Sequence, residues 1–423
     1  MRALALVDGE HYAPVVRDAI AGLPHDILAA HLIGGTEKLR GGEDYGVPVV
    51  DDLEAAITEH SPDLVVDLSD EPVLGPRQRF RVASRVLAHG IPYEGADFRL
   101  EPAPLGPFPL ASLSVIGTGK RVGKTAVTGY VARFLARERD VVVVAMGRGG
   151  PEEPECVEVR PTVESLLELS RAGRHAASDY LETAALSGVV TIGCRRCAGG
   201  LAGATAADNV AAGAELALER SPDLVVFDGS GAAIPPVATT ARLLVVNADC
   251  DPELATGYLN AYRILISDLV VLTMAVESGG HDELAKAIRE VKPNLTVIAA
   301  ELRPRPLEPV EGRRVAYFTT APEEAHGRLA THLRDDHGAE VVHVSGNLAR
   351  RDALAAELAG IDADVYLVEI KAAAIDVVAE AGAKRGVSVV FADNEVVPLP
   401  GQPDLEAALR ALLEIPAAEP ART

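Results

Sequence analysis

The sequence predicts an α/β protein with parallel strands, arranged in three consecutive blocks. Short apolar, β-branched runs alternate with amphipathic helical stretches, the pattern that builds parallel sheets. In the middle block these runs are continuously apolar, as expected of strands buried on both faces. Two proline clusters, at 100–109 and 303–309, interrupt the alternation. With 423 residues, 48% of them apolar, the chain exceeds what one hydrophobic core usually serves.

The first block carries the runs ALALV (3–7), DILAAHLIGG (26–35) and DLVVDL (63–68), with helical segments near 14–22, 51–60 and 76–89. The stretch 100–109 holds four prolines, and proline is excluded from helix interiors and central strands, so a linker is expected there. That bounds a Rossmann-like α/β domain at 1–105. The second block, 110–303, continues through ASLSVIG (111–117), DVVVVAMG (140–147), DLVVFDG (223–229), ARLLVVN (241–247), DLVVLTM (268–274) and LTVIAA (295–300). After the second proline cluster come RRVAYFTT (313–320), EVVHVSG (340–346), DVYLVEI (364–370) and VSVVFAD (387–393). This last block, 310–423, is either a separate α/β domain or an extension of the central sheet.

The run ASLSVIG leads into Gly117, Thr118, Gly119, Lys120, Arg121, Val122, Gly123, Lys124 and Thr125, and a helical segment follows at once. Strand, glycine-rich loop and helix in that order make a P-loop, and the central block a P-loop NTPase sheet. Backbone N–H groups and the helix N-terminus cradle phosphates, Lys124 reaches the β/γ oxygens, and the Thr125 hydroxyl binds magnesium. The loop is one residue longer than the usual spacing, with Thr118 where a glycine is customary. In this it resembles the loop of dethiobiotin synthetase and its relatives, which phosphorylate an acidic oxygen on a small molecule. Asp228 ends a later buried run and is the expected magnesium carboxylate. The strand end VVNADCD (245–251) lacks the Asn-Lys-x-Asp that reads guanine, so ATP is favoured.

The segment 191–203 combines Arg195 and Arg196 with several glycines between helical stretches. Arginine matches phosphate oxygens with a planar fork, and Gly199 and Gly200 let backbone N–H groups approach an anion. Cys194 and Cys197 form a Cys-x-x-Cys, but a structural zinc site needs two further ligands and no second pair exists. Asp8, Glu10 and His11 follow the first strand, Gly34 to Lys38 the second, and Asp67 to Glu71 with Arg77, Arg79 and Arg81 the third. Together they point to one binding edge at the carboxyl ends of the strands. Glu369, Lys371, Asp393 and Glu395 also follow apolar runs, where exposed charge is ordinary.

A net charge of −22 repels nucleic acid and anionic lipid, so neither is an expected partner. No apolar run reaches the roughly 18 residues needed to span a bilayer, and the first residues turn polar too soon for a signal peptide, which predicts a cytoplasmic protein. Four cysteines are too few for a disulfide framework, in keeping with a reducing compartment.

Taken in order, Asp8-Gly-Glu-His-Tyr12, the loop from Gly117 to Thr125, Gly-Cys-Arg-Arg-Cys, Phe-Asp-Gly-Ser-Gly and Glu-Ile-Lys-Ala-Ala-Ala-Ile-Asp376 resemble the cyclic 2,3-diphosphoglycerate synthetase family over nearly the whole chain. The resemblance implies closure of 2,3-diphosphoglycerate to its cyclic pyrophosphate, with ATP and Mg2+ as cofactors and ADP and phosphate released. Lys120, Lys124, Arg195 and Arg196 would then neutralise charge, with Lys120 and Arg121 beside the transferred phosphoryl group. The partner expected is a small phosphorylated substrate, and the assembly a homodimer. Two other readings remain: a ligase or kinase of the dethiobiotin synthetase type, or a nucleotide-dependent dimerising switch. The switch is disfavoured because Gly119, five residues before Lys124, is not lysine.

Overall fold

Val- and Leu-rich runs become strands where both faces are covered, because branched side chains pack well on a pleated surface. Ser112–Gly117, Val141–Gly147, Leu224–Asp228 and Leu269–Thr273 are buried at every position. The computed structural model describes residues 1–36, 39, 41–276 and 279–415. Glu37 and Lys38 of the segment after the second strand lie outside these.

The described residues form two sheets. The N-terminal one orders its strands Val49–Val50, Asp26–Leu32, Arg2–Val7, Leu64–Asp67, Tyr93–Glu94 and Arg99–Leu100, all parallel except the last. The larger one has a parallel centre ordered Val190–Cys197, Val141–Gly147, Leu224–Asp228, Ser112–Gly117, Ala241–Asn247, Leu269–Thr273 and Thr296–Pro306. The fold is therefore α/β with a central P-loop sheet, and the strand feeding the loop has a neighbour on each side. Helix Pro76–Ala88 docks the N-terminal sheet on the central one. Phe80 meets Tyr258 with ring centres 5.7 Å apart, and Ser84 Oγ donates to Tyr258 O at 3.3 Å.

The ladder runs without a break into the C-terminal strands. Thr296–Pro306 pairs in parallel with Leu269–Thr273 up to Ala299, then antiparallel with Ser388–Pro398 from Ala300 to Pro306. Beyond it lie Val365–Glu369, Arg314–Phe318 and Glu340–Ser345, parallel to one another. The sequence marks the prolines from 303 as an interruption, yet the strand continues through Pro304 and Pro306. Leu307 N donates to Phe391 O at 3.0 Å. Alternate residues of a strand aim their N–H groups the same way, so Arg303 and Arg305 also face the partner and the prolines turn their missing donors to the open side.

This turn of direction has a geometric result. Ser388–Pro398 pairs only with the part of Thr296–Pro306 that projects past Ala299, so the strands parallel to it aim their carboxyl ends back at the carboxyl ends of the P-loop strands. The projecting strand passes over the loop itself: a Cβ on Gly123 would stand 3.2 Å from Leu302 Cδ1.

Candidate active site

Ser112–Gly117 delivers the chain into the loop, and helix Lys124–Leu135 begins directly after it. Gly123 has φ 83°, and a Cβ there would lie 3.1 Å from Thr273 Oγ1, so both conformation and space call for glycine. Thr273 Oγ1 donates to Val122 O at 2.6 Å and clamps the loop to the next strand end. Among the described residues the backbone N–H groups from Gly119 to Gly123 donate to no protein acceptor. A run of unspent donors leading into a helix N-terminus is an anion cradle.

Lys124 is buried and its Nζ donates to Gly119 O at 2.8 Å. Burial lowers its pKa, against the opposite pull of Asp228 and Asp179. Among the described residues no carboxylate lies within ion-pair reach of it, which suits an ammonium meant for phosphate. Lys120 and Arg121 lie exposed on the rim of the loop.

Asp228 ends the strand beside the P-loop strand, in register with Val115. It is buried; Oδ1 accepts from Thr128 Oγ1 at 2.9 Å, and no described donor reaches Oδ2. Burial raises its pKa, opposed by Lys124 and the Thr128 hydroxyl. One buried carboxylate with a free oxygen and the Thr125 hydroxyl at the helix start fit a magnesium ion completed by phosphate oxygens and water.

The arginines do not sit in a turn between helices, as the glycines around them suggest, but at the end of strand Val190–Cys197, with Arg195 in register with Gly147. Side chains alternate along a strand, so the two arginines point to opposite faces. Arg196 turns inward: Nη2 donates to Ser230 O at 2.9 Å and Oγ at 3.1 Å, and Nη1 to Ala198 O at 2.7 Å. Its Nε is buried without a protein partner. Burial first, then the charge of Arg148, lowers its pKa, and it repels Lys124 in turn. Arg195 is exposed. Gly199 and Gly200 are exposed in the following loop, and a Cβ on Gly199 would stand 3.5 Å from Arg196 Nη1. Cys194 is buried, its thiol pushed up to about 12 by that burial, while Cys197 is exposed. The described residues hold no cluster of three metal-ligating side chains.

At the N-terminal edge Asp8 is wholly buried and accepts from Asp70 N at 2.8 Å, Glu10 N at 3.0 Å and His11 Nδ1 at 2.8 Å. Burial alone would raise its pKa; these bonds from Asp70 and His11 outweigh it and lower it. Arg79 is spent on the same edge, with Nε on Asp67 Oδ2 at 2.9 Å and Nη1 on Glu71 Oε2 at 3.1 Å. Arg77 leaves the edge and pairs with Glu253 of the central unit, since residues two apart on a helix do not share a face.

Models of the cyclic 2,3-diphosphoglycerate synthetase N-terminal, P-loop and C-terminal domains match residues 2–101, 112–300 and 306–395. The chain belongs to this family. A synthetase of that name from Rubrobacter xylanophilus is 53% identical, covering 94% of each chain. One from Thermococcus gammatolerans is 44% identical over 96% of each, and one from Methanothermus fervidus 42% identical over 93% of this chain and 92% of that one. Among solved structures, LpxK from Aquifex aeolicus in complex with ATP aligns with a TM-score of 0.44 at 15% identity, covering 80% of this chain and 96% of that one. The protein is thus an enzyme of an ATP-dependent synthetase family, and no helix among its described residues is long and apolar enough to cross a membrane.

Three residues of the site escape sequence reasoning. Arg148 follows the strand end Gly147 and acts on both Arg196 and Lys124. Its position after a buried run is the signal that could have found it. Asp179 opens helix Asp179–Ser187 and lies against the same strand end: a Cβ on Gly147 would be 3.0 Å from its Oδ2. Thr128, one turn beyond Lys124, bonds Asp228. Neither Asp179 nor Thr128 sits at a strand end, so no sequence pattern marks them.

Proposed function

We propose that the enzyme closes 2,3-diphosphoglycerate into cyclic 2,3-diphosphoglycerate at the expense of ATP, through an intermediate phosphorylated on one of the two phosphates. The observation that carries the reading is the convergence of Lys124, Asp228 and Arg196 around an unspent phosphate cradle, in a chain of this family. An oxygen of one substrate phosphate attacks the γ-phosphorus of ATP and ADP leaves with the bond's electron pair. An oxygen of the neighbouring phosphate then attacks the phosphorus so activated, closing the ring and expelling inorganic phosphate.

All reactants are highly anionic, so positioning and charge neutralisation carry the rate. Lys124 and the loop N–H groups hold the β- and γ-phosphates, with Lys120 and Arg121 at the rim beside the transferred group. Thr125 and Asp228 would hold Mg2+, which when bound supplies charge neutralisation between the phosphates. Arg196, aided by Arg148 and the Gly199–Gly200 backbone, orients the acid; Arg195 sits outside that group. Asp8, Glu10 and His11 offer a second polar edge for the substrate, with Arg79 fixing its shape and Arg77 its docking. The same reading includes units at 1–105, 110–303 and 310–423, a cytoplasmic location, no nucleic-acid partner and a homodimer, which light scattering tests. Incubation with Mg-ATP and phosphorylated three-carbon acids, followed by ³¹P resonances, should give one cyclic product per ADP from 2,3-diphosphoglycerate. Vigorous hydrolysis without it would refute the proposal.

A further inference from the structure

The two parallel halves of the large sheet face each other by their carboxyl edges. Helix Asp179–Ser187 packs on strands of both, Val141–Gly147 and Val190–Cys197 in the one and Ser388–Pro398 in the other. Asp179 and Glu182 are three apart and share one face of it. Asp179 attracts Lys124 and Arg196 on the P-loop side and Lys371 on the other. Glu182, only 4% exposed, has Lys371 Nζ at 3.8 Å from its Oε1.

Lys371 comes two residues after the strand Val365–Glu369, on the edge that aims at the P-loop. The other carboxylates nearby are already occupied. Glu369 takes Tyr317 Oη at 3.1 Å, Thr319 Oγ1 at 2.9 Å and Thr320 N at 3.1 Å. Asp393 takes Arg305 Nη2 at 2.9 Å and is also bonded by Arg133 of the P-loop helix. The Lys371 ammonium makes no hydrogen bond within the described residues, and its side chain is 37% exposed. Burial opposes its charge, but Glu182, Glu369, Asp179 and Asp393 outweigh that and raise its pKa.

We propose that Lys371 binds a phosphate of the acid substrate from the C-terminal side, so that the anion pocket closes between Lys124 and Arg196 on one edge and Lys371 on the other. An ammonium with donors to spare, held at ion-pair range but not hydrogen-bonded, is poised for an incoming anion. A substrate with two phosphates carries about four to five negative charges near neutral pH and needs cations on more than one side. The proposal rests on the function proposed above and adds the residue that the C-terminal strands contribute.

The test titrates 2,3-diphosphoglycerate calorimetrically into protein holding Mg2+ and a non-hydrolysable ATP analogue. Lys371→Met should weaken binding of the acid roughly 10- to 150-fold, the loss of one charge-assisted bond, and leave analogue affinity within about threefold. Lys371→Arg, which keeps the charge, should recover part of the loss. In the unmutated protein, saturating acid should slow acylation of Lys371 by an amine reagent at least tenfold, read by mass spectrometry; this arm does not depend on a variant folding. Equal acid affinity in folded Lys371→Met, or acylation unchanged by the acid, overturns the assignment while leaving the function intact. If the unmutated protein neither binds the acid nor cyclises it, the function falls and this assignment with it.

Discussion

Replacing the two arginines one at a time separates a phosphate ligand from a bystander. Arg196 is fixed by Ser230 and the Ala198 carbonyl and keeps a buried, unpartnered Nε; Arg195, on the other face of the same strand, is exposed. Loss of a charge-assisted hydrogen bond costs about 1.5–3 kcal/mol, so Arg196→Ala should lower kcat/KM for the acid roughly 10- to 150-fold. Arg195→Ala should change it by less than about threefold, in keeping with the modest effect of exposed charges. Arg196→Lys should recover only part of the loss, because it restores charge without the planar fork. The assay is initial rate against 2,3-diphosphoglycerate at saturating Mg-ATP, with nucleotide affinity and a thermal melt as controls. A folded Arg196→Ala with normal kcat/KM would refute the pocket. A large loss in Arg195→Ala instead would refute the facing of the strand.

Lys124→Ala should abolish turnover while the protein melts normally, and unchanged activity would remove the nucleotide site from this loop. Asp228→Asn should raise the magnesium concentration needed for half-maximal rate more than it changes nucleotide affinity; equal shifts in both would argue against a role at the metal. ATP consumption should be slow alone and strongly stimulated by 2,3-diphosphoglycerate, whereas a switch would hydrolyse independently of the acid. Burial pushes the Glu182 carboxyl up to about 8 from 4.5, against the pull of Lys371, so the folded state holds a proton that the unfolded chain releases. Stability should therefore fall as pH rises from about 5 to 8, by at most about 1.4 kcal/mol per unit, and Glu182→Gln should flatten that slope. Lys371, with its pKa raised from 10.5, adds nothing in that window. Parallel slopes by chemical denaturation would refute the burial argument.

What the sequence makes legible is what lies along the chain. The P-loop is readable because strand, loop and helix are consecutive, and Asp228 because a carboxylate ending a buried run stands on the ligand edge of a parallel sheet. Arg196 is readable as a candidate for phosphate by residue type, but its difference from Arg195 is a matter of strand phase. Four glycines around the pair suggest a turn, and the strand forms because Thr191, Ile192 and Gly193 pair with Val143, Val144 and Ala145. Asp179, Glu182 and Lys371 converge only through strand order, and a run of apolar residues does not say which run lies beside it.

The facing of the two edges left one trace that sequence reasoning could have used. Pro304 and Pro306 are two apart, so in an extended chain both withdraw a donor from the same side. A central strand cannot lose two donors from one side, but a strand paired on one side only can. With Arg303, Arg305 and Leu307 aiming their donors the other way, a proline pair of period two marks one-sided pairing rather than a linker. The partner supplied at that side is Ser388–Pro398, antiparallel and beyond the end of Leu269–Thr273. A linker would leave the C-terminal strands to face anywhere. One-sided pairing past the end of a parallel sheet turns their carboxyl edge toward the phosphate cradle, and Lys371 is on that edge.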